Sequence, residues 1–177
     1  NDGIYFVTIC SHERRHVFGH IRNGKMLFSK LGEIVSQSLE SIPVHHPHAE
    51  VYNYVVMPNH VHLVLSVRTR YIASPQTDDT SKSINSNFGC LKPPTHGEAC
   101  EDFHHNSSLA TIVGSFKAAV TRAANRLGDG EGGRDVSRPY WQQRYHEHII
   151  RDQRAFDNIM NYVDNNVRSW ASDCFNE

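Results

Sequence analysis

With 177 residues, 38% of them hydrophobic and 21% charged, the chain has the size and composition of one ordinary globular domain, which excludes a disordered or low-complexity protein. No apolar run approaches the roughly 20 residues that a membrane-spanning helix needs. A formal net charge of -1 excludes a blanket electrostatic grip on duplex DNA, so any nucleic-acid contact has to be local.

The chain opens without a basic or apolar leader, and residues 4–10 (Ile-Tyr-Phe-Val-Thr-Ile-Cys) are β-branched and aromatic, which predicts a strand. From 29 to 42, Leu31, Ile34, Val35, Leu39 and Ile42 recur at helical steps, and Pro43 is expected to stop that helix. Strands are expected over 49–56 and 60–67, joined by Met57-Pro58-Asn59 in a tight connection. Periodicity then disappears from about 68 to 106 in favour of Ser, Thr, Asp, Asn, Pro and Gly, which reads as a flexible surface insertion within the single domain 1–177. Ser107 or Ser108 is expected to cap a second helix running to 127, with Leu109, Ile112, Val113, Phe116, Val120 and Ala124 on its inner face. A Gly- and acid-rich loop at 129–136 follows, then an extended stretch at 140–150. Asp152 is expected to cap a last helix over 153–165. The order of elements suggests an α+β sandwich of ferredoxin-like type, with helices packed on an antiparallel sheet.

His60-Val61-His62 is the sharpest local feature. Residues i and i+2 of a strand project from one face, so two imidazoles would point together and could bind one divalent ion. Two polar residues on an exposed strand face would show the same spacing. On the last helix, Tyr162 and Asn166 stand four residues apart and share a face. Taken alone, Tyr162 reads equally as a boundary residue with its ring on the sheet, and Asn166 as a helix C-terminal residue.

Several blocks carry a resemblance that joins these residues. Met57-Pro58-Asn59-His60-Val61-His62-Leu63-Val64-Leu65 resembles the metal-binding strand of the HUH transposases with a single catalytic tyrosine. The stretch 111–122 (Thr-Ile-Val-Gly-Ser-Phe-Lys-Ala-Ala-Val-Thr-Arg) resembles their middle helix, 141–151 their closing strand, and 159–166 (Ile-Met-Asn-Tyr-Val-Asp-Asn-Asn) their tyrosine helix. The nearest subgroup is the REP-associated tyrosine transposases. Val167, where these relatives often carry Pro, and the long insertion depart from the pattern. The resemblance implies His60, His62 and Asn166 as ligands of Mg²⁺ or Mn²⁺ and Tyr162 as the nucleophile. It also implies single-stranded DNA with hairpin or palindromic repeats as the substrate, cut through a 5′-phosphotyrosine and rejoined. A homodimer is one arrangement it allows, and a cytoplasmic, nucleoid-associated location follows. A catalytically silent hairpin-binding protein and a metal phosphodiesterase acting on small substrates are the competing readings.

Weaker signals remain. Lys117, Arg122, Arg144 and Arg151 could form a local basic track for phosphates, and Tyr140 and Trp141 could stack on unpaired bases, although Trp141 reads equally as core. Tyr145, beside His146 and His148, is a rival nucleophile to Tyr162. His45-His46-Pro47-His48 is expected in an exposed turn. The cysteines Cys10, Cys90, Cys100 and Cys174 are spaced too irregularly for a zinc knuckle and are expected to be reduced thiols.

Overall fold

Strand β1 (Gly3–Cys10) runs antiparallel to β5 (His60–Val67), with β4 (Ala49–Val56) on the far side of β5 and β6 (His146–Ile150) on the far side of β1. The resulting order β4-β5-β1-β6 places the first and third strands of the βαββαβ chain in the centre, the ferredoxin-like arrangement expected from the order of elements. The computed structural model describes residues 3–68, 108–128 and 139–176. The expected insertion at 68–106, apart from Arg68, and the loop at 129–136 fall outside the described residues, as do Cys90 and Cys100.

Every residue of β5 is buried, because both faces of this central strand are covered. On one face Val61, Leu63 and Leu65 join Val7 and Ile9 of β1 under α1 (Lys30–Glu40) and α3 (Leu109–Gly128), which contribute Val35, Leu39, Ile112, Phe116 and Val120. On the other face Val64 packs with Ile150 and with Val163 of α4 (Gln153–Asn165) in a smaller cluster. The helices start where their caps dictate. Ser29 Oγ accepts the Gly32 amide at 3.0 Å, Ser108 Oγ that of Thr111 at 3.2 Å, and an Asp152 carboxylate oxygen that of Ala155 at 2.8 Å. No helix among the described residues is long and apolar enough to cross a membrane.

Three local outcomes depart from the sequence reading. Pro43 does not simply end the first helix. α1 stops at Glu40, and Pro43 lies in the first turn of a short further helix, α2 (Ile42–His45), where its missing amide proton has no bond to lose. The stretch 140–150 is only partly strand. Trp141 makes a single bridge with Ser11, and the carbonyls of Gln142, Gln143 and Arg144 accept instead from Lys117 Nζ at 2.8, 3.4 and 3.3 Å, so regular pairing begins only at His146. Finally, the periodicity reading passed over a two-stranded ribbon, β2 (Gly19–Arg22) and β3 (Lys25–Phe28). Its turn is Asn23-Gly24, both at positive φ (54° and 68°), the residue pair that a two-residue hairpin turn favours.

Candidate active site

The alternation of β5 sends His60 and His62 to the α4 face, opposite Val61 and Leu63. The two rings converge there until their Nε2 atoms are 3.1 Å apart. Each outer nitrogen has its own support. Asn59 Nδ2 donates to the Phe175 carbonyl at 2.6 Å, which turns Asn59 Oδ1 to His60 Nδ1 at 2.8 Å. Because Oδ1 can only accept, His60 carries its proton on Nδ1 and presents the lone pair of Nε2 inward. His62 Nδ1 meets the Thr8 hydroxyl at 2.8 Å, a group that can donate or accept, so the His62 proton can sit on either nitrogen. Thr8 reaches it because β1 and β5 are paired with Thr8 opposite His62.

From the other side, α4 brings Tyr162 Oη to 3.3 Å from His62 Nε2, with Phe6 stacked on His62 at 5.1 Å and edge-on to Tyr162 at 6.1 Å. One turn further, Asn166 is 1% exposed, and neither atom of its amide makes a well-aligned hydrogen bond among the described residues, the Tyr162 phenol being the polar group near enough to feel it. A buried amide without a good hydrogen bond is costly, and a ligand is one way to satisfy it. Burial raises the Tyr162 phenol above its usual range, and the Asn166 amide offsets this only in part. Burial pushes His60 down to about 3, helped by His62 and Arg14, and His62 down to about 4. Both rings are therefore neutral near pH 7; His60 offers its Nε2 lone pair inward, and His62 does so when its proton sits on Nδ1 toward Thr8. Two imidazole nitrogens and an amide oxygen suit Mn²⁺ or Mg²⁺, with imidazole tilting affinity toward Mn²⁺. Among the described residues no group of three or more His, Cys, Asp or Glu is placed to hold a metal, so a cation at this pair depends on the neutral Asn166 amide and on non-protein oxygens.

Arg14, Trp170 and Phe175 complete the surroundings, and none of them is marked by spacing in the sequence. Phe175 lies on His60 at 4.5 Å between ring centroids, Trp170 is 6.1 Å from the same ring, and the Arg14 guanidinium sits 5.0 Å over Phe175. The end of the chain thus lies over the histidine pair, and His60 is fully buried.

The expected basic residues do not gather here. Lys117 is bonded to the carbonyls before β6, and Arg122 lines a cavity of about 480 Å³ between α1, α2 and α3, across the sheet from the histidines. Arg144 and Arg151 are exposed on either side of β6. Trp141 is a core residue, 6% exposed and packed on Phe18 and Phe116. The Tyr145 ring stands 5.9 Å from the Lys117 ammonium. The exposed turn expected at 45–48 is only partly formed: His45 ends α2, and His46, half-buried, meets the Ser115 hydroxyl at 2.6 Å.

No protein-family model matches the chain. An uncharacterized protein of Haemophilus influenzae strain Rd is 32% identical over 175 residues, covering 98% of this chain and 84% of its own. Among solved structures, a REP-associated tyrosine transposase bound to a REP hairpin superposes with a TM-score of 0.53 at 15% identity, over 93% of this chain and 66% of that one. The present chain therefore spans about two thirds of that transposase. It belongs to one family with the Haemophilus influenzae protein, and its fold is that of the single-tyrosine transposases.

Proposed function

We propose that the chain is a metal-dependent endonuclease and strand transferase acting on single-stranded DNA next to hairpin-forming repeats. The observation that carries this reading is the meeting of Tyr162 Oη with the converged His60–His62 pair beside a buried Asn166 amide that makes no well-aligned hydrogen bond among the described residues. A divalent cation, Mg²⁺ or Mn²⁺, held by His60, His62 and Asn166 would polarise the phosphate oxygens and offset the charge that develops on them.

Tyr162 supplies the nucleophilic oxygen. Burial keeps its phenol protonated near pH 7, so the proton departs as the oxygen bonds to phosphorus. The bond from phosphorus to the 3′-oxygen breaks, and the departing oxygen takes up a proton. The products are a free 3′-hydroxyl and a 5′ end held on Tyr162. Attack by another 3′-hydroxyl on that phosphotyrosine reverses the step and joins new ends without external energy.

Incubation with labelled single-stranded hairpin DNA and Mn²⁺ is expected to give a covalent adduct that disappears in Tyr162→Phe. An adduct that survives this substitution would sink the tyrosine assignment. Hydrolysis of a small phosphodiester that Tyr162→Phe leaves intact would favour the phosphodiesterase reading.

A further inference from the structure

Residues 14–30 hold five of the chain's 18 Lys and Arg residues (Arg14, Arg15, Arg22, Lys25 and Lys30) and no Asp or Glu, in a chain whose formal net charge is -1. The β2–β3 ribbon occupies most of this segment, and its register sorts its side chains by face. His20 pairs with Leu27 and Arg22 with Lys25, and all four are exposed, while Ile21 and Met26 are half-buried and Met26 packs against the core. Arg22 and Lys25 are thus like charges set directly opposite each other, an arrangement that destabilises a ribbon. Among the described residues neither is in an ion pair, so nothing in this part of the fold offsets the repulsion.

The root of the ribbon fixes where it stands. The Phe18 amide donates to the Pro58 carbonyl at 3.0 Å, and the Ser29 amide donates to the Phe18 carbonyl at 2.9 Å, so both strands leave from the turn that leads into His60. Gly19 at the root has φ 144°, and a Cβ there would collide with the Leu27 carbonyl, which makes this exit specific to glycine.

We propose that the β2–β3 ribbon grips the double-stranded stem of the DNA, with Arg22 and Lys25 on its phosphate backbone, while the unpaired strand continues to His60, His62 and Tyr162. This rests on the DNA-processing reading above and names the partner of a surface outside the reacting site. A stem fits better than a single strand for two reasons. Unpaired bases are held by aromatic platforms, and the face that carries Arg22 and Lys25 has none of Phe, Tyr or Trp; the exposed Phe28 stands by register on the face of Ile21 and Met26. A two-stranded ribbon also matches the width of a DNA major groove, roughly 12 Å.

The test is binding rather than cleavage. Fluorescence anisotropy, with a chelator present, compares a stem-loop carrying an unpaired foot with an unstructured strand of the same length. The double variant Arg22→Glu/Lys25→Glu is expected to bind the stem-loop about tenfold more weakly at physiological salt and to lower the slope of log affinity against log salt by about two. Its loss on the unstructured strand is expected to be much smaller. Arg22→Ala/Lys25→Ala, which removes charge without adding any, is expected to fall between the two, and an unchanged melting temperature excludes misfolding. Wild-type affinity for the stem-loop in the charge-reversed variant overturns the assignment. An equal loss on both DNAs also overturns it, because the ribbon would then hold single strands. Neither result bears on the Tyr162 adduct, which is measured separately.

Discussion

Burial keeps the His60 and His62 imidazoles neutral, the state that holding the proposed cation would require. The folded values of about 3 for His60 and about 4 for His62 lie below the ordinary 6.5, and the sign of the consequence follows. As pH falls below about 6.5 the unfolded chain takes up protons that the folded chain refuses. Stability is full above that value and declines until the folded rings protonate near pH 3–4. At pH 5 the two rings together should cost the metal-free chain on the order of 2–4 kcal/mol. The urea midpoint is expected to drop between pH 7 and pH 5, and to drop less in His60→Gln/His62→Gln. Equal slopes in the two proteins would show that these rings are not the acid-sensitive groups. The groups that set this behaviour were only partly visible beforehand. The spacing of His60 and His62 gave the pair, and that of Tyr162 and Asn166 gave a shared helix face. Thr8 and Asn59 act through strand register and a long-range bond to Phe175, neither of which local spacing encodes.

At the scale of elements, β5 and α4 form the site and the C-terminal tail covers it. Two kinds of contact hold the tail down: the hydrogen bond from Asn59 to the Phe175 carbonyl, and the packing of the Phe175 ring between His60 and Arg14. One hydrogen bond and one exposed cation–ring contact amount to about 1–2 kcal/mol, so the covered form is favoured by roughly tenfold. Phe175→Ala, which removes the ring and keeps the carbonyl that orients Asn59, is therefore expected to raise the apparent affinity for the proposed Mn²⁺ by up to about tenfold and to speed formation of the Tyr162 adduct. Isothermal titration with Mn²⁺ measures the first effect, and unchanged affinity in this variant would mean that the ring is no barrier. The tail and the β2–β3 ribbon escaped the sequence reading for different reasons. Residues 173–176 have no period from which to infer a packing partner. In the ribbon, Ile21 and Met26 supply too little apolar alternation to stand out, although the Asn23-Gly24 turn was there to be read.

The whole molecule divides unequally about its sheet. Between the sheet and α1 and α3 lies the main core, whose fully buried members include Phe18, Val35, Leu39 and Ile112. Long runs of helical and alternating periodicity encode this side, which is why the helices α1 and α3, the two paired strands and the ferredoxin-like order were legible in advance, though not the break between α1 and α2. Among the described residues the α4 side rests on three fully packed apolar residues, Val64, Ile150 and Val163, edged by Phe156, Ile159 and Met160, with polar ties from Asn53 Nδ2 to an Asp164 carboxylate oxygen at 2.7 Å and between Tyr162 Oη and His62 Nε2 at 3.3 Å. Apolar burial scales with area, so the helix that carries Tyr162 is held more weakly than the strand that carries the histidines. Elements with the fewest buried contacts open first, without global unfolding. In native-state hydrogen exchange, the amides of α4 are expected to exchange through a local opening at least about 2 kcal/mol below the global value, while those of β5 exchange only through global unfolding. Val163→Ala removes two methyl groups from the smaller cluster. It is expected to lower protection in α4 by about 1–2 kcal/mol and to leave β5 nearly unchanged. If α4 and β5 instead lost protection together, the tyrosine helix would be part of the cooperative core, and Tyr162 would have no motion independent of the histidine pair.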